Sequence, residues 1–355
     1  MMKKELAARM LDNMVARFWS VAGGGQKGVR ILAYHRVLDD EPGSFPFDED
    51  VISAKTEAFR EQMKFAKRNF DVVSFRDLRQ CESEGRAWPE RGLIVTFDDG
   101  YRDNYSNALP VLRELGIPAT IFLATGYIGQ KNLFWWDSIA YSVKHTDRPS
   151  IHYPELSPEP ISLASVADRR RAIGMILGYV KEVPEEMRLI FQDRLYRDLG
   201  VRPSDRVSDR MHLSWDEVRN MSACGIEFGS HSVTHPILAN VSGAQLEEEV
   251  SASKRMIEQN TGEEVLAFAY PAGRTSRFNK MAEDAVARAG YSYAVSYEEG
   301  LAFQNQSDPY SLSRIHVERD QSPSRFRANV MFPALMLSQE LRRLAPVALA
   351  LSAWA

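Results

Sequence analysis

Leu93-Ile94-Val95-Thr96-Phe97-Asp98-Asp99-Gly100 is an apolar run that stops on two adjacent carboxylates and a glycine. A short apolar run bounded by a turn signal reads as a strand buried on both faces. Similar runs recur at Ile31–Tyr34, Thr120–Ala124, Ile226–Gly229, Val265–Tyr270 and Tyr291–Ser296. Between them lie helical patterns, such as Glu57–Arg68 with Phe59, Met63 and Ala66 on one face, and Ala244–Gln259 with Leu246, Val250, Met256 and Ile257. This alternation predicts an α/β fold with a parallel sheet covered on both faces. His35, Asp98, Asp99, His231 and Tyr270 all fall where such strands end. An α/β barrel carries its site there, and so does an open doubly wound sheet; strand ends alone leave both architectures open.

Composition narrows the class. The chain has 355 residues, 44% hydrophobic and 26% charged, as in an ordinary globular protein. A net charge of −4 gives no electrostatic case for a nucleic-acid partner. Cys81 and Cys224 supply neither a disulfide framework nor a zinc–thiolate spacing, which predicts reduced thiols and a cytoplasmic location. Charges at Arg9, Asp12 and Arg17 interrupt any signal-peptide core, and no run is long and apolar enough to span a bilayer.

Three regions are expected. Residues 1–25 open with an amphipathic helix over 3–19, striped by Leu6, Met10, Met14 and Phe18, and close on Gly23-Gly24-Gly25. Residues 26–325 form the central domain, interrupted by a helical insertion at about 131–210 that begins at Phe134-Trp135-Trp136-Asp137. Residues 326–355 form a helical, apolar tail. With Arg342 and Arg343 ahead of Trp354, the tail is a candidate for peripheral contact with the inner membrane.

The second motif is His231-Ser232-Val233-Thr234-His235. On a helical turn its two imidazoles share one face. One carboxylate with two histidines is a common ligand set for a catalytic divalent metal that keeps a position open for water. Taken alone, Asp-Asp-Gly is usually a turn, and a His pair at this spacing is more often a surface pair. Together, each closing a strand-like run, they point to metal-assisted hydrolysis. Trp135 and Trp136 suit the apolar face of a sugar ring or, equally, an anchor for the insertion. His145, His152 and His212 show no ligand spacing and read as structural or surface residues.

In these two motifs, in this order, the chain resembles the polysaccharide deacetylase family, the NodB-homology group also called carbohydrate esterase family 4. The resemblance spans roughly residues 30–320. It implies a distorted (β/α) barrel of fewer than eight units, a bound divalent metal, usually zinc, and removal of N-acetyl groups from a hexosamine-containing glycan or glycan precursor, a lipid-linked sugar included. It further implies that Asp98 is the catalytic base and that Asp99, His231 and His235 are the metal ligands. Phe268-Ala269-Tyr270-Pro271-Ala272-Gly273 matches the third motif, with Tyr270, Pro271 and Ala272 on the substrate and oxyanion side. Ala269 stands where the family usually carries an arginine that steadies the base, and Arg274 and Arg314 are the candidates to replace it. The family's Asp-Trp motif has no match in position.

The family's last motif is a strand ending in a histidine that serves as the acid. Ile31-Leu32-Ala33-Tyr34-His35 has that form at the opposite end of the chain, as in the circularly permuted, exopolysaccharide-deacetylase-like branch. His35 is therefore the expected acid, with His316 in Leu312–His316 as the second candidate. Two other functions fit the same sequence: hydrolysis of another amide, such as a formamido sugar or a cyclic ureide, and a catalytically inactive glycan-binding module.

Overall fold

The computed structural model describes residues 27–40, 43–204, 211–273 and 278–333. The stripe over residues 3–19, the tail beyond residue 333 and Arg274 lie outside the described residues. The strands are β1 (Arg30–Tyr34), β2 (Arg36–Val37), β3 (Ile52–Ala54), β4 (Asp71–Val72), β5 (Gly92–Phe97), β6 (Thr120–Leu123), β7 (Ser150–Ile151), β8 (Ile161–Ser162), β9 (Glu227–Ser230), β10 (Ala267–Ala269), β11 (Tyr293–Glu299) and β12 (Leu312–His316).

In chain order, β1, β5, β6, β9, β10, β11 and β12 pair in parallel, and β12 returns to β1. Closure is direct: Leu32 lies opposite Val95 on one side and Ile315 on the other. The sheet is therefore a closed seven-stranded barrel rather than an open one, and β4 runs beside the start of β5. Every residue of β1, β5, β6 and β10 is buried, as strands covered on both faces require.

Amphipathic helices cover the outside. Thr56–Asn69 buries Phe59, Met63 and Ala66, and Gly243–Thr261 buries Leu246, Val250 and Ile257. Phe75–Ser83 starts on a capping box between Ser74 and Asp77. Its Phe75 and Leu78 join Ile31, Ile94, Phe122, Val295 and Leu312 in one core cluster.

Residues 131–204 build a second hydrophobic core. Helices Trp135–His145, Val166–Val180 and Glu185–Leu199 contribute Ile139, Ile176 and Leu195, and Phe45, Phe47 and Ile52 from the segment around β3 join them. No helix among the described residues is long and apolar enough to cross a membrane.

Candidate active site

In an extended strand, Asp98 and Asp99 would point to opposite faces. Asp98 continues β5, with its N–H on the Tyr34 carbonyl at 2.9 Å. Asp99 then takes a left-handed backbone, φ +76°, and Gly100 follows at +82°. The chain folds back, so both carboxyls turn inward. A Cβ on Gly100 would stand 2.8 Å from Leu123 Cδ2, so the turn needs glycine there.

The histidines do not sit on a helical turn, contrary to the sequence-based expectation. They flank a loop after β9 in which Ser232 (φ +65°) and His235 (φ +57°) are left-handed. The Ser232 hydroxyl accepts the His235 N–H at 3.1 Å, a local bond that competes with helix formation. The loop sets the two rings 4.7 Å apart at 80°.

Three buried ligand atoms converge here. His231 Nε2 and His235 Nε2 are 3.2 Å apart, and Asp99 Oδ1 lies 3.6 and 3.5 Å from them. Ligands about 2.1 Å from one ion at tetrahedral angles stand about 3.4 Å from one another, so the triangle has the size of a single metal site. His231 Nδ1 donates to the Ala269 carbonyl at 2.7 Å, which leaves its Nε2 lone pair facing inward. Burial lowers the pKa of both histidines, against the pull of Asp98 at His231 and with the help of His231 at His235. Asp99 Oδ1 is buried and accepts no hydrogen bond. Burial, then the charges of Asp98 and Asp137, push the Asp99 carboxyl well above the usual carboxylate range. Converging acceptors of this kind fit a divalent cation.

Asp98 stands beside the triangle with a different partner. Arg314, fully buried on β12, donates from Nη1 to Oδ1 and from Nη2 to Oδ2, both at 2.8 Å. Its Nε donates to the Ser296 carbonyl at 2.8 Å, which fixes the fork. Burial alone would raise the Asp98 pKa. Arg314, His231 and His35 overcome it and hold the carboxyl well below its usual range. Of the two arginines expected from sequence, Arg314 is the one within the described residues, and it sits on Asp98.

His35 follows β1, and its Nε2 lies 3.9 Å from Asp98 Oδ2. Its side chain is 21% exposed, against 2% for Asp98. Burial, partly offset by Asp98 and reinforced by Arg314, lowers its pKa to about 4. His316 stacks on Tyr297 at 3.6 Å, with Nδ1 3.7 Å from Glu299 Oε1. Tyr297 also meets the His35 ring at 5.8 Å and lies 5.3 Å from the Arg314 guanidinium carbon. The sequence reading missed Tyr297, because nothing in the β11 pattern marks its end as part of the site.

Tyr270 requires a correction. Its ring stacks on Phe278 at 4.0 Å, its hydroxyl donates to the Tyr310 carbonyl at 2.9 Å and its N–H goes to Val295 at 3.2 Å. Its side chain and N–H are spent on the core, and Pro271 has no N–H. Ala272 lies at φ +53° in the turn closed by Gly273 N–H on the Tyr270 carbonyl, and its N–H has no hydrogen-bond partner among the described residues.

Trp135 and Trp136 are buried anchors rather than sugar platforms. Trp136 stacks on Phe134 at 4.3 Å, donates to the Tyr101 hydroxyl at 2.8 Å and lies 4.5 Å from the His235 ring. Trp135 approaches the His235 carbonyl through Nε1 at 3.4 Å, and Arg188 covers its ring at 5.3 Å. The insertion is thereby tied to His235.

Known proteins resemble this chain in sequence and in fold. A family model described as polysaccharide deacetylase matches residues 86–294. YxkH of Bacillus subtilis (strain 168), named for the same family, is 22% identical over 301 residues, covering 84% of this chain and 75% of its own. The poly-beta-1,6-N-acetyl-D-glucosamine N-deacetylase of Escherichia coli (strain K12) is 31% identical over 93 residues, which are 26% of this chain and 13% of that protein. The structure of the Streptococcus pyogenes deacetylase PplD in complex with acetate superposes with a TM-score of 0.57 at 19% identity, covering 87% of this chain and 100% of that one. At that identity the likeness speaks to the fold.

Proposed function

The chain belongs to the polysaccharide deacetylase family, and from that premise we propose that it is a divalent-metal-dependent hydrolase removing N-acetyl groups from an amino-sugar glycan or glycan precursor. The observation that carries this reading is the buried triangle of Asp99, His231 and His235, with edges of 3.2 to 3.6 Å, beside an Asp98 held by Arg314. Asp99, His231 and His235 would hold the ion, and zinc suits their mixed nitrogen and oxygen donors. When bound, the ion supplies Lewis acidity for the attacking water and the acetamide carbonyl.

The remaining steps belong to the chain's own groups. Asp98 accepts the proton of the attacking water. Arg314 takes two of its lone-pair sites, and a carboxylate has about four. His35, neutral while burial holds its pKa at about 4, first takes up the proton that Asp98, 3.9 Å away, has accepted from the water, and then delivers it to the departing amine, without which the C–N bond does not break. The 3.9 Å between Asp98 Oδ2 and His35 Nε2 lets the two groups reach different atoms of one tetrahedral centre. The Ala272 N–H is the backbone donor offered to the oxyanion.

The E. coli relative's name gives the substrate class to try first, a β-1,6-linked N-acetylglucosamine polymer. The test measures zinc content and acetate release from N-acetylated oligosaccharides, with formamido sugars and cyclic ureides in parallel. Stoichiometric metal and acetate release are expected. Turnover of only the formamido or ureide compounds would overturn the N-acetyl reading, and glycan binding without any turnover would overturn the enzyme reading.

A further inference from the structure

Between the two histidines, the loop offers consecutive backbone N–H groups at Val233 and Thr234. Both donate to one oxygen of Glu249, Oε2, at 2.7 and 2.8 Å. The Thr234 hydroxyl donates to the other oxygen, Oε1. Glu249 lies on helix Gly243–Thr261 and is only 5% exposed. No cation pairs with it among the described residues, so a buried charge is balanced by neutral donors of this loop. Adjacent N–H groups aimed at one point make a small anion-binding concavity, and here a side chain of the protein fills it.

The opposite side of the loop is held as well. Thr125 N–H donates to the Ser232 carbonyl at 3.1 Å and Gly126 N–H to the Val233 carbonyl at 2.8 Å. A Cβ at Gly126 would itself stand 2.8 Å from the Val233 oxygen, so this approach requires glycine. The loop is thus gripped between the end of β6 and the Glu249 helix. It needs the grip, because Ser232 and His235 adopt left-handed backbones that non-glycine residues seldom keep unless surroundings impose them. Those two residues set where both imidazoles point.

We propose that Glu249 is a positioning residue for the metal site: by clamping Val233 and Thr234 it holds His231 and His235 at the spacing a single ion requires. The inference rests on the metal-site reading above. Glu249 touches neither the ion nor the substrate, and its effect is on metal affinity and ligand geometry.

The test compares the parent protein with Glu249→Ala and Glu249→Gln. Zinc affinity of the metal-free proteins is measured by competition with a chromophoric chelator, thermal unfolding is followed without metal, and the visible spectrum is recorded after Co²⁺ loading. Glu249→Ala is expected to bind zinc about 10–100-fold more weakly, the usual effect of losing a group that orients a ligand. Its Co²⁺ spectrum should change in band position and intensity. Glu249→Gln should recover most of the affinity and the parental spectrum, because its carbonyl can accept both N–H groups while its amide donates to the Thr234 oxygen. A folded Glu249→Ala protein with parental affinity and spectrum would overturn the proposal, even if its melting temperature falls, since that is what a purely structural contact predicts. If Glu249→Ala does not fold, Thr234→Val removes one bond to the same carboxylate and should also weaken zinc binding; parental affinity there overturns the proposal. A parent protein that binds no metal overturns the metal-site reading together with this one.

Discussion

Arg314 grips both oxygens of Asp98 at 2.8 Å, from a strand that ends more than two hundred residues later in the chain. The pair is fully buried, so neither member can be removed cheaply: stripping one partner from a buried ion pair costs about 3–5 kcal/mol. Arg314→Lys is the informative change, because it keeps a charge and gives up the fork. Burial then weighs more heavily on Asp98, and its pKa rises from its depressed value. A base that is ionised above its pKa then loses activity on the acid side earlier. The acid limb of the kcat–pH profile should move to higher pH in Arg314→Lys, and an unmoved limb would show that Arg314 does not set the basicity of Asp98.

Asp98→Asn separates base from ligand. The amide preserves the shape of the carboxyl but cannot take a proton. Turnover should fall by about 10²–10⁴, while zinc content stays at the parental level because Asp99, His231 and His235 are untouched. Loss of metal in this variant would move Asp98 into the ligand set. His35→Ala should give a fall of the same order, again with metal retained; full activity would return attention to His316, which stacks on the same Tyr297.

The sequence disclosed the barrel because its strands are buried on both faces, and apolar runs such as Ile31–Tyr34 and Leu93–Phe97 lie within a residue of β1 and β5. It concealed β12 as a barrel strand, because Arg314 stands at the centre of Leu312–His316 and breaks the apolar signature. That charge is tolerated in the core only because Asp98 neutralises it, so the local rule fails where the candidate site lies. The histidine spacing was legible, yet the expected helical turn was not formed. What decides the loop, the Ser232 hydroxyl and the Glu249 carboxylate, is partly non-local. Tyr270 misled for a related reason: an aromatic at a strand end can face the site or the core, and Phe278 and Tyr310 claim it for the core. The use of Trp135 and Trp136 depended on neighbours from three other segments, Tyr101, Arg188 and His235, which spacing does not reveal.

Trp136 links the insertion to the side of the barrel that carries Asp99, His231 and His235. Trp136→Ala removes the stack on Phe134, the bond to Tyr101 and the contact with the His235 ring. A buried tryptophan truncated to alanine costs about 3–5 kcal/mol. Calorimetry should show that loss of stability, and zinc affinity should fall with it because His235 loses a neighbour that confines its ring. A destabilised variant with unchanged zinc affinity would mean that the insertion does not support the ligand.

Asp48 and Asp137 predict the direction of the pH dependence of stability. The Asp48 N–H donates to Asp137 Oδ1 at 3.2 Å, and Asp137 Oδ2 accepts the Tyr101 hydroxyl at 2.7 Å. Burial, then the charge of Asp137, pushes the Asp48 carboxyl up to about 7. Burial, opposed by Arg36, pushes Asp137 up to about 6. A carboxyl whose pKa is raised by folding binds its proton more tightly in the native state than in the unfolded chain. Between the two values the native state therefore holds more protons, and stability falls as pH rises through that window. The penalty is complete above about pH 7 and is relieved as the pH drops toward the unfolded value near 4. Asp48→Asn removes the charge, while its amide oxygen can still accept the Asp50 N–H, now at 3.1 Å. The variant should melt a few degrees above the parent at pH 8 and at nearly the same temperature at pH 5. Paired melting curves at the two pH values cancel the contributions of groups not coupled to Asp48, those of Asp98 and Asp99 included, while Asp137 loses a like-charged neighbour and adds to the same shift. An equal shift at both pH values would mean that Asp48 does not carry the buried charge.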